Sequence, residues 1–154
     1  MELAQIFPKD SIIVNLDSTE KDELFEEMVT VIRCAHPEIN IKEAVWALEK
    51  RESKMSTGIM HDIAVPHAVI SSVSGIAGAI GISREGIDYD SLDKMPVHIV
   101  FMLLSGNGES ERHVQILKTL ALVLQIPEFT NKIKKCASAS EVYNFIAAAE
   151  ESVI

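Results

Sequence analysis

Five side chains in this sequence could accept a group, move a proton or bind a metal ion near neutral pH. These are the histidines His36, His61, His67, His98 and His113. A neutral imidazole, with a reference pKa of about 6.5, keeps one unprotonated nitrogen that can act as a base, a nucleophile or a metal ligand. His98 lies inside an apolar run and His36 precedes Pro37, so we assign structural roles to both.

His67 is the most favourably placed of the other three histidines. It follows the run Ile63–Pro66, in which Pro66 pushes Val65 toward an extended conformation and supplies no backbone N–H. This pattern predicts the edge or the end of a strand, and side chains at the ends of strands often line ligand crevices. A surface histidine that simply follows a proline is the alternative interpretation.

Two further groups could hold an anion. His113 falls in the first turn of a helix that Ser110 can cap, where free N–H groups and the helix dipole favour a phosphoryl group. Arg51 lies at the end of another predicted helix, and its guanidinium could bind phosphate through paired hydrogen bonds. Each has a simpler interpretation: His113 could satisfy a backbone group or water, and Arg51 could complement the helix dipole.

The segment before His67 carries small polar residues. Ser56 and Thr57 could donate their hydroxyl groups to an anion, or they could form the turn that Gly58 permits. His61 precedes Asp62 and is interpreted from its position as a turn residue.

Other kinds of chemistry have less support. The sequence has no GxxxxGK[ST] phosphate loop, no GxGxxG after a strand, no HExxH and no GxSxG. Cys34 and Cys136 form no CxxC or CxxH pair, and both are predicted to be buried free thiols. Three imidazoles would suit catalytic zinc, so metal binding or hydrolysis by His61, His67 and His113 is the alternative function. No carboxylate stands at a spacing recognisable for orienting a zinc ligand or for acting as a general base, which weighs against this alternative.

Interspersed helices and strands must position these residues. Apolar residues at three- and four-residue steps predict helices, and short β-branched or wholly apolar runs predict strands. The predicted strands are 12–16, 63–65, 73–82 and 97–104, and the predicted helices are about 19–35, 41–52, 110–124, 128–135 and 142–149. Because the central strands are apolar at nearly every position, both of their faces should be covered. The predicted fold class is α/β, a single domain over 1–154 with a mixed β-sheet flanked by helices on both faces.

Composition and charge narrow the classes of partner. The 154 residues include 14 Lys and Arg against 23 Asp and Glu, which gives a formal net charge of −9. This charge opposes binding to nucleic acid and to anionic lipid, and no basic run offsets it. The longest apolar block, 97–104, is far shorter than the roughly 20 residues that span a bilayer. No signal-peptide pattern is visible, so we expect a cytoplasmic protein without a nucleic-acid partner or membrane insertion.

One ordered set of motifs runs through the chain. It consists of Arg51-Glu52, Ser56-Thr57-Gly58-Ile59, Ile63–Ala68, Gly86-Ile87-Asp88-Tyr89, Leu92-Asp93, Pro96-Val97, and His113 with Leu117 and Leu120-Ala121. In this order the sequence resembles enzyme IIA of the bacterial phosphoenolpyruvate-dependent phosphotransferase system (PTS), over essentially the whole chain. The resemblance is to the fructose and mannitol branch, which includes the nitrogen-regulatory IIA proteins. The sequence departs from the family at Asp62, where glycine is common, and at Val114, which replaces a leucine.

The resemblance implies a mixed sheet flanked by helices and a phosphotransferase reaction that needs no cofactor or metal. His67 would accept a phosphoryl group from a phosphohistidine of HPr or an HPr-like phosphocarrier protein. It would pass the group to a IIB component, or use it as a signal to a regulated protein such as a kinase or transporter. The other implied site residues are His113 as the second active-site histidine, Arg51 as the phosphoryl-binding arginine, and Ser56, Thr57 and His61 as pocket lining.

Two further expectations follow from the resemblance. A carboxylate at position 62 would repel an incoming phosphoryl group unless Asp62 pairs with His61 or Arg51. The lack of an attached IIB or IIC domain in this sequence favours a purely regulatory role over sugar transport, although sugar-specific IIA proteins also occur as separate chains.

Overall fold

Helices and strands are interspersed along the chain, as the sequence predicts. The computed structural model describes residues 2–58 and 61–154. Its helices are α1 (Glu2–Ile6), α2 (Lys21–Ala35), α3 (Ile41–Glu52), α4 (Ser110–Leu124), α5 (Phe129–Lys134) and α6 (Ala139–Val153). Its strands are β1 (Ile12–Ile13), β2 (Ile63–Ala64), β3 (His67–Val69), β4 (Ile76–Ile87) and β5 (Val97–Ser105). Within these described ranges, no helix is long and apolar enough to cross a bilayer.

The strands form one mixed sheet built around β4 and β5, which run antiparallel to each other. β1 pairs in parallel with β4 on one side, and both β2 and β3 pair in parallel with β5 on the other. Ile63 lies opposite Ile99, and His67 lies opposite Leu103 in the same register. β2 and β3 are therefore two halves of one edge strand.

The edge strand continues past Pro66, so the predicted strand edge is confirmed while the predicted strand end is wrong. The carbonyl of Pro66 accepts a hydrogen bond from the N–H of Leu103 at 3.0 Å. Pro66 therefore faces β5, where its missing N–H removes one ladder bond without ending the strand. His67 begins β3 and stands within the edge strand rather than beyond it.

Helices cover both faces of the sheet, which confirms the predicted mixed α/β architecture. On one face, α1, α4, α5 and α6 pack over a core that includes Phe101 and Leu120. On the other face, α2 and α3 bury Phe25 and Leu48 against Met102. Phe101 and Met102 are neighbours on β5 and enter opposite cores because side chains alternate along a strand.

Among the helix N-termini, that of α3 is the most relevant to the site, and its position agrees with the sequence prediction. The side chain of Asn40 accepts a hydrogen bond from the N–H of Glu43 at 3.0 Å, which caps the helix. The two carboxylate oxygens of Glu43 in turn accept hydrogen bonds from Ser71 and Ser72, beyond β3. These contacts fix the beginning of α3, and the helix delivers Arg51 in its last turn.

The two cysteines differ in environment. Cys136 is buried, as predicted, but Cys34 is exposed, so the prediction of a buried thiol at that position is wrong. The buried face of α2 carries Met28 and Ile32, and Cys34 lies off that face on the same helix.

Candidate active site

His67 stands at the junction of two hollows beside the edge strand of the sheet. One hollow is bounded by α3 and by the start of α4, and it contains His67 together with His113. The other is mainly apolar, and Ile63 and Val65 of the edge strand line it together with Leu117 of α4. Because alternate residues of a strand share a face, Ile63, Val65 and His67 point the same way.

The imidazole of His67 is oriented by the backbone of its own strand. Its Nδ1 lies 2.8 Å from the carbonyl oxygen of Val65. A carbonyl oxygen can only accept, so the proton of the neutral ring is on Nδ1 and the lone pair is on Nε2. Burial lowers the pKa of His67, and the positive charge of Arg51 lowers it further; together they outweigh the hydrogen bond to Val65 and the negative charge of Glu52, which raise it. The ring is therefore neutral and nucleophilic at Nε2 near pH 7.

His113 is buried in the first turn of α4, and its ring centre is 5.3 Å from that of His67. Its Nδ1 is hydrogen-bonded to the hydroxyl of Ser105 at the end of β5. Burial lowers the pKa of His113, and the neighbouring His67 adds to this effect. The structure thus brings the two histidines together and leaves Nε2 as the free nitrogen of His113. The sequence analysis did not identify Ser105 as a site residue. The only sequence signal for Ser105 is that a hydroxyl residue ends an apolar strand shortly before His113.

Arg51 supplies positive charge to both hollows. It lies in the last turn of α3, half-buried, and its Nη1 donates to the carbonyl of Met55 at 3.1 Å. Lys50 and Lys54 line the hollow that holds both histidines. Among the described residues no aspartate or glutamate lines that hollow, so it is locally basic on a chain whose net charge is −9.

Ser56 and Thr57 line the apolar hollow with His67, but their hydroxyl groups differ in availability. The hydroxyl of Thr57 is buried and hydrogen-bonded to both Glu52 and Tyr89. Ser56 Oγ accepts a hydrogen bond from the N–H of Gly58 at 3.1 Å. Thr57 therefore contributes to the structure of the loop, whereas the hydroxyl proton of Ser56 is not used in that bond.

The structure places His61 away from the two hollows at His67. Its side chain is 73% exposed and lines a different hollow, together with Asp62 and residues 128–131. The carboxylate of Asp62 accepts hydrogen bonds from His98 Nδ1 at 2.7 Å and from Lys134, and His61 Nε2 lies 3.7 Å from it.

Of the two partners considered for Asp62, His61 lies within 3.7 Å, whereas the hydrogen bonds to the carboxylate come from His98 and Lys134 rather than from Arg51. Burial raises the pKa of Asp62, but the hydrogen bonds from Lys134 and His98 outweigh burial and lower the pKa below its usual value. The structural role assigned to His98 is confirmed by this contact.

The alternative metal site gains no support. Within 2–58 and 61–154, no group of three His, Cys, Asp or Glu side chains is arranged to hold a metal ion. His67 and His113 are adjacent, but His61 lines another hollow.

A close pair of histidines, of which His113 is buried and His67 half-buried, lies beside a basic helix end on a mixed sheet and indicates the class of protein. Residues 5–149 match the family model "Phosphoenolpyruvate-dependent sugar phosphotransferase system, EIIA 2". The chain belongs to this family of PTS enzyme IIA proteins, which supports a role in phosphoryl transfer.

Both transport and regulatory proteins are among its relatives. The chain is 36% identical, over 95% of its length, to the PTS system fructose-specific EIIABC component of Bacillus subtilis, and spans 23% of that protein. It is 25% identical to a nitrogen regulatory protein of Pseudomonas aeruginosa, over 95% of each chain. The crystal structure of Nitrogen Regulatory Protein IIA-Ntr from Neisseria meningitidis superimposes with a TM-score of 0.87 at 26% identity, covering 95% of this chain and 99% of that one.

Proposed function

We propose that this protein is a phosphohistidine carrier that accepts a phosphoryl group on Nε2 of His67. The donor is a phosphohistidine of HPr or an HPr-like protein. The acceptor is a IIB component, or the phosphorylated form itself acts as a signal to a regulated protein. The hydrogen bond from His67 Nδ1 to the Val65 carbonyl is the observation that carries this proposal, because it leaves the lone pair on Nε2.

The transfer balances without a cofactor or a proton acceptor. The N–P bond of the donor breaks, its electron pair returns to the donor imidazole, and the lone pair of His67 Nε2 forms the new N–P bond. His67 keeps its proton on Nδ1, where the Val65 carbonyl stabilises the positive charge that develops on the ring. Because nucleophile and leaving group are both imidazoles, the step is close to equilibrium and reversible.

Positioning and charge provide the catalysis. A phosphoryl group spreads negative charge over its equatorial oxygens during in-line transfer. Arg51, Lys50 and Lys54 surround the hollow with positive charge, and such preorganised charge stabilises the transition state. In this proposal Ser105 donates its hydroxyl proton to His113 Nδ1, so that His113 Nε2–H is directed to a phosphoryl oxygen.

The surroundings of His67 favour a protein as the partner. Trp46 and Val69 line the hollow with His67 and are 61% and 57% exposed, while Val114, next to His113, is 50% exposed. Exposed apolar side chains grouped around a polar site are typical of surfaces that contact another protein. A phosphocarrier contacts its donor and acceptor proteins directly and does not bind the sugar.

The proposal is tested by incubating the protein with phosphoenolpyruvate, enzyme I and HPr and mapping the labelled residue by mass spectrometry. We expect one acid-labile phosphohistidine, lost in His67→Ala and retained in His36→Gln, which alters a histidine outside the site. Labelling that persists in His67→Ala would overturn the proposal. Transfer from the labelled protein to candidate IIB proteins, compared with pull-downs by the labelled and unlabelled forms, separates transport from regulation.

A further inference from the structure

A buried carboxylate lies beside the site and has no part in the mechanism above. Glu52, the last residue of α3, is 9% exposed. Its Oε1 accepts hydrogen bonds from the Thr57 N–H at 3.0 Å, from the Thr57 hydroxyl and from the Tyr89 hydroxyl at 3.0 Å. Its Oε2 accepts from Lys21 Nζ at 3.0 Å. This carboxylate therefore joins α2, the end of α3, the loop after α3 and the segment that follows β4.

The partners of Glu52 are two hydroxyl groups, a backbone N–H and the ammonium group of Lys21. Lys21 Nζ lies 4.5 Å from the centre of the Tyr89 ring, so the ammonium group is held by both the carboxylate and the aromatic face. Burial raises the pKa of Tyr89, which keeps its hydroxyl protonated and able to donate. A buried carboxylate with a full set of donors fixes the groups that surround it.

A continuous series of hydrogen bonds leads from this carboxylate to the reactive histidine. Glu52 holds the N–H of Thr57, and the carbonyl of Thr57 accepts from the N–H of Val65 at 3.1 Å. The carbonyl of Val65 accepts from His67 Nδ1 at 2.8 Å. The N–H and C=O groups of one strand residue point in the same direction, so both groups of Val65 face away from β5 and toward the loop.

We propose that Glu52 is a positioning residue: through Thr57 and Val65 it sets the orientation of the His67 ring and keeps the ring proton on Nδ1. The effect on phosphoryl transfer rests on the proposed function, whereas the effect on the ring is a property of the unphosphorylated protein. Glu52 touches neither His67 nor the hollow that contains both histidines.

The edge strand needs this outer support because its inner ladder is incomplete. Pro66 supplies no N–H to β5 at the position next to Val65. The bond between Val65 and Thr57 restrains the backbone there from the opposite side. Glu52 also adjoins Arg51, so one anchor fixes both the imidazole and the guanidinium relative to the same hollow.

The test compares Glu52→Gln with Glu150→Gln. Glu150 is a matched control because it is also buried and accepts backbone N–H bonds, from Glu2 at 3.1 Å and Leu3 at 3.2 Å, at the junction of α1 and α6. The first readout is ¹⁵N NMR of the His67 ring in each protein without any donor. We expect Glu150→Gln to retain the Nδ1–H form and Glu52→Gln to populate the Nε2–H form. The tautomer of the neutral ring is the diagnostic, because the charge of Glu52 by itself raises the pKa of His67.

The second readout is the rate of phosphoryl transfer from HPr. We expect a decrease of at least about tenfold for Glu52→Gln, because small displacements of reacting groups are costly, and no change for Glu150→Gln. Should Glu52→Gln fail to fold, Thr57→Val and Tyr89→Phe each remove a single hydroxyl from the network and should shift the His67 ring in the same direction.

The inference would be overturned if the ring nitrogen shifts are unchanged in a folded Glu52→Gln. If Glu52→Gln does not fold, unchanged shifts in both hydroxyl variants would overturn it. Glu52 would then only stabilise the fold. That result is distinct from failure of the proposed function, which is judged by whether wild-type His67 becomes phosphorylated.

Discussion

At His67, one backbone carbonyl determines which ring nitrogen carries the proton and which carries the lone pair. The Val65 oxygen holds the Nδ1 proton, and burial of the ring disfavours its charged form. In the proposed mechanism the same oxygen would also stabilise the phosphorylated ring, whose Nδ1 would keep its proton. The local geometry therefore fits both states of the proposed carrier.

The lowered pKa of His67 predicts how phosphoryl acceptance depends on pH. Because the neutral ring is the nucleophile, acceptance should persist as the pH falls below about 6.5 and decline only through the lower pKa of the folded protein. Arg51→Met should raise that pKa toward the usual value by removing a nearby positive charge. NMR titration of the ring measures both values, and a wild-type pKa at or above that of free histidine would contradict this prediction.

Ser105 should matter to the reaction through His113. Ser105→Ala removes the hydroxyl that holds Nδ1 of the buried His113, so we expect a loss of about 1 kcal/mol in the free energy of unfolding. Phosphoryl transfer to His67 should slow, although the labelled residue stays the same. Ser152→Ala is the control, since its hydroxyl bonds the carbonyl of Ala149 within α6. Equal transfer rates in the two variants would exclude a role for Ser105 in orienting His113.

At the scale of the elements, the loop after α3 is held by close packing. Sequence analysis assigned Gly58 to a turn for its conformational freedom, but a Cβ there would lie 2.7 Å from Ser91 Cβ and 2.9 Å from the Tyr89 ring. The residue is therefore small because the chain after β4 passes directly over it. The carbonyl of Gly58 also accepts from the N–H of Leu92 at 3.1 Å.

Gly58→Ala should destabilise the fold through this overlap. We expect a loss of about 1–3 kcal/mol in the free energy of unfolding, measured by chemical denaturation, because overpacking forces neighbours to move. Gly108→Ala is the contrast. A Cβ added at position 108 would have nothing within 4 Å, and the φ of +83° there makes the loss of stability purely one of backbone strain. Wild-type stability in Gly58→Ala would show that the loop is not packed in this way.

The elements around the site differ in how far their sequence predicts them. Helix α3 follows from its apolar spacing and the Asn40 cap, and β5 follows from its uninterrupted apolar run. The β3 strand was missed because Pro66 reads locally as a stop. Only pairing with β5, which is remote in sequence, shows that the strand resumes at His67.

The sequence predicts a site residue best where its side-chain chemistry alone suggests its role. It predicts a site residue worst where contacts with residues remote in sequence determine that role. His67, His113 and Arg51 line common hollows. His61 was grouped with them by the family resemblance, yet residues 61 and 67 open into different hollows. Thr57 has a hydroxyl suited to an anion, but Glu52, whose location no local pattern indicates, already holds it.

For the molecule as a whole, charge is distributed unevenly. The chain carries a formal net charge of −9, while Lys50, Arg51 and Lys54 meet at the hollow that holds the two histidines. A local positive potential on an acidic protein directs an anionic phosphoryl group to one place.

Lys50→Gln should therefore slow association with a phosphorylated donor. We expect a decrease of a few-fold at low salt that shrinks as ionic strength rises, since screening weakens long-range attraction. Lys132→Gln changes the net charge equally but lies on α5, outside the hollow, and should have a smaller effect. Stopped-flow association rates measure the difference, and equal effects of both variants would show that only net charge matters.

The most direct test of the carrier mechanism is the position of phosphorus on the phosphorylated imidazole. NMR of ¹⁵N-labelled protein, phosphorylated through HPr, distinguishes a phosphoryl group on Nε2 from one on Nδ1. The hydrogen bond between His67 Nδ1 and Val65 predicts phosphorus on Nε2, with the Nδ1 proton retained. Phosphorus on Nδ1 of His67, or on another residue, would contradict the mechanism.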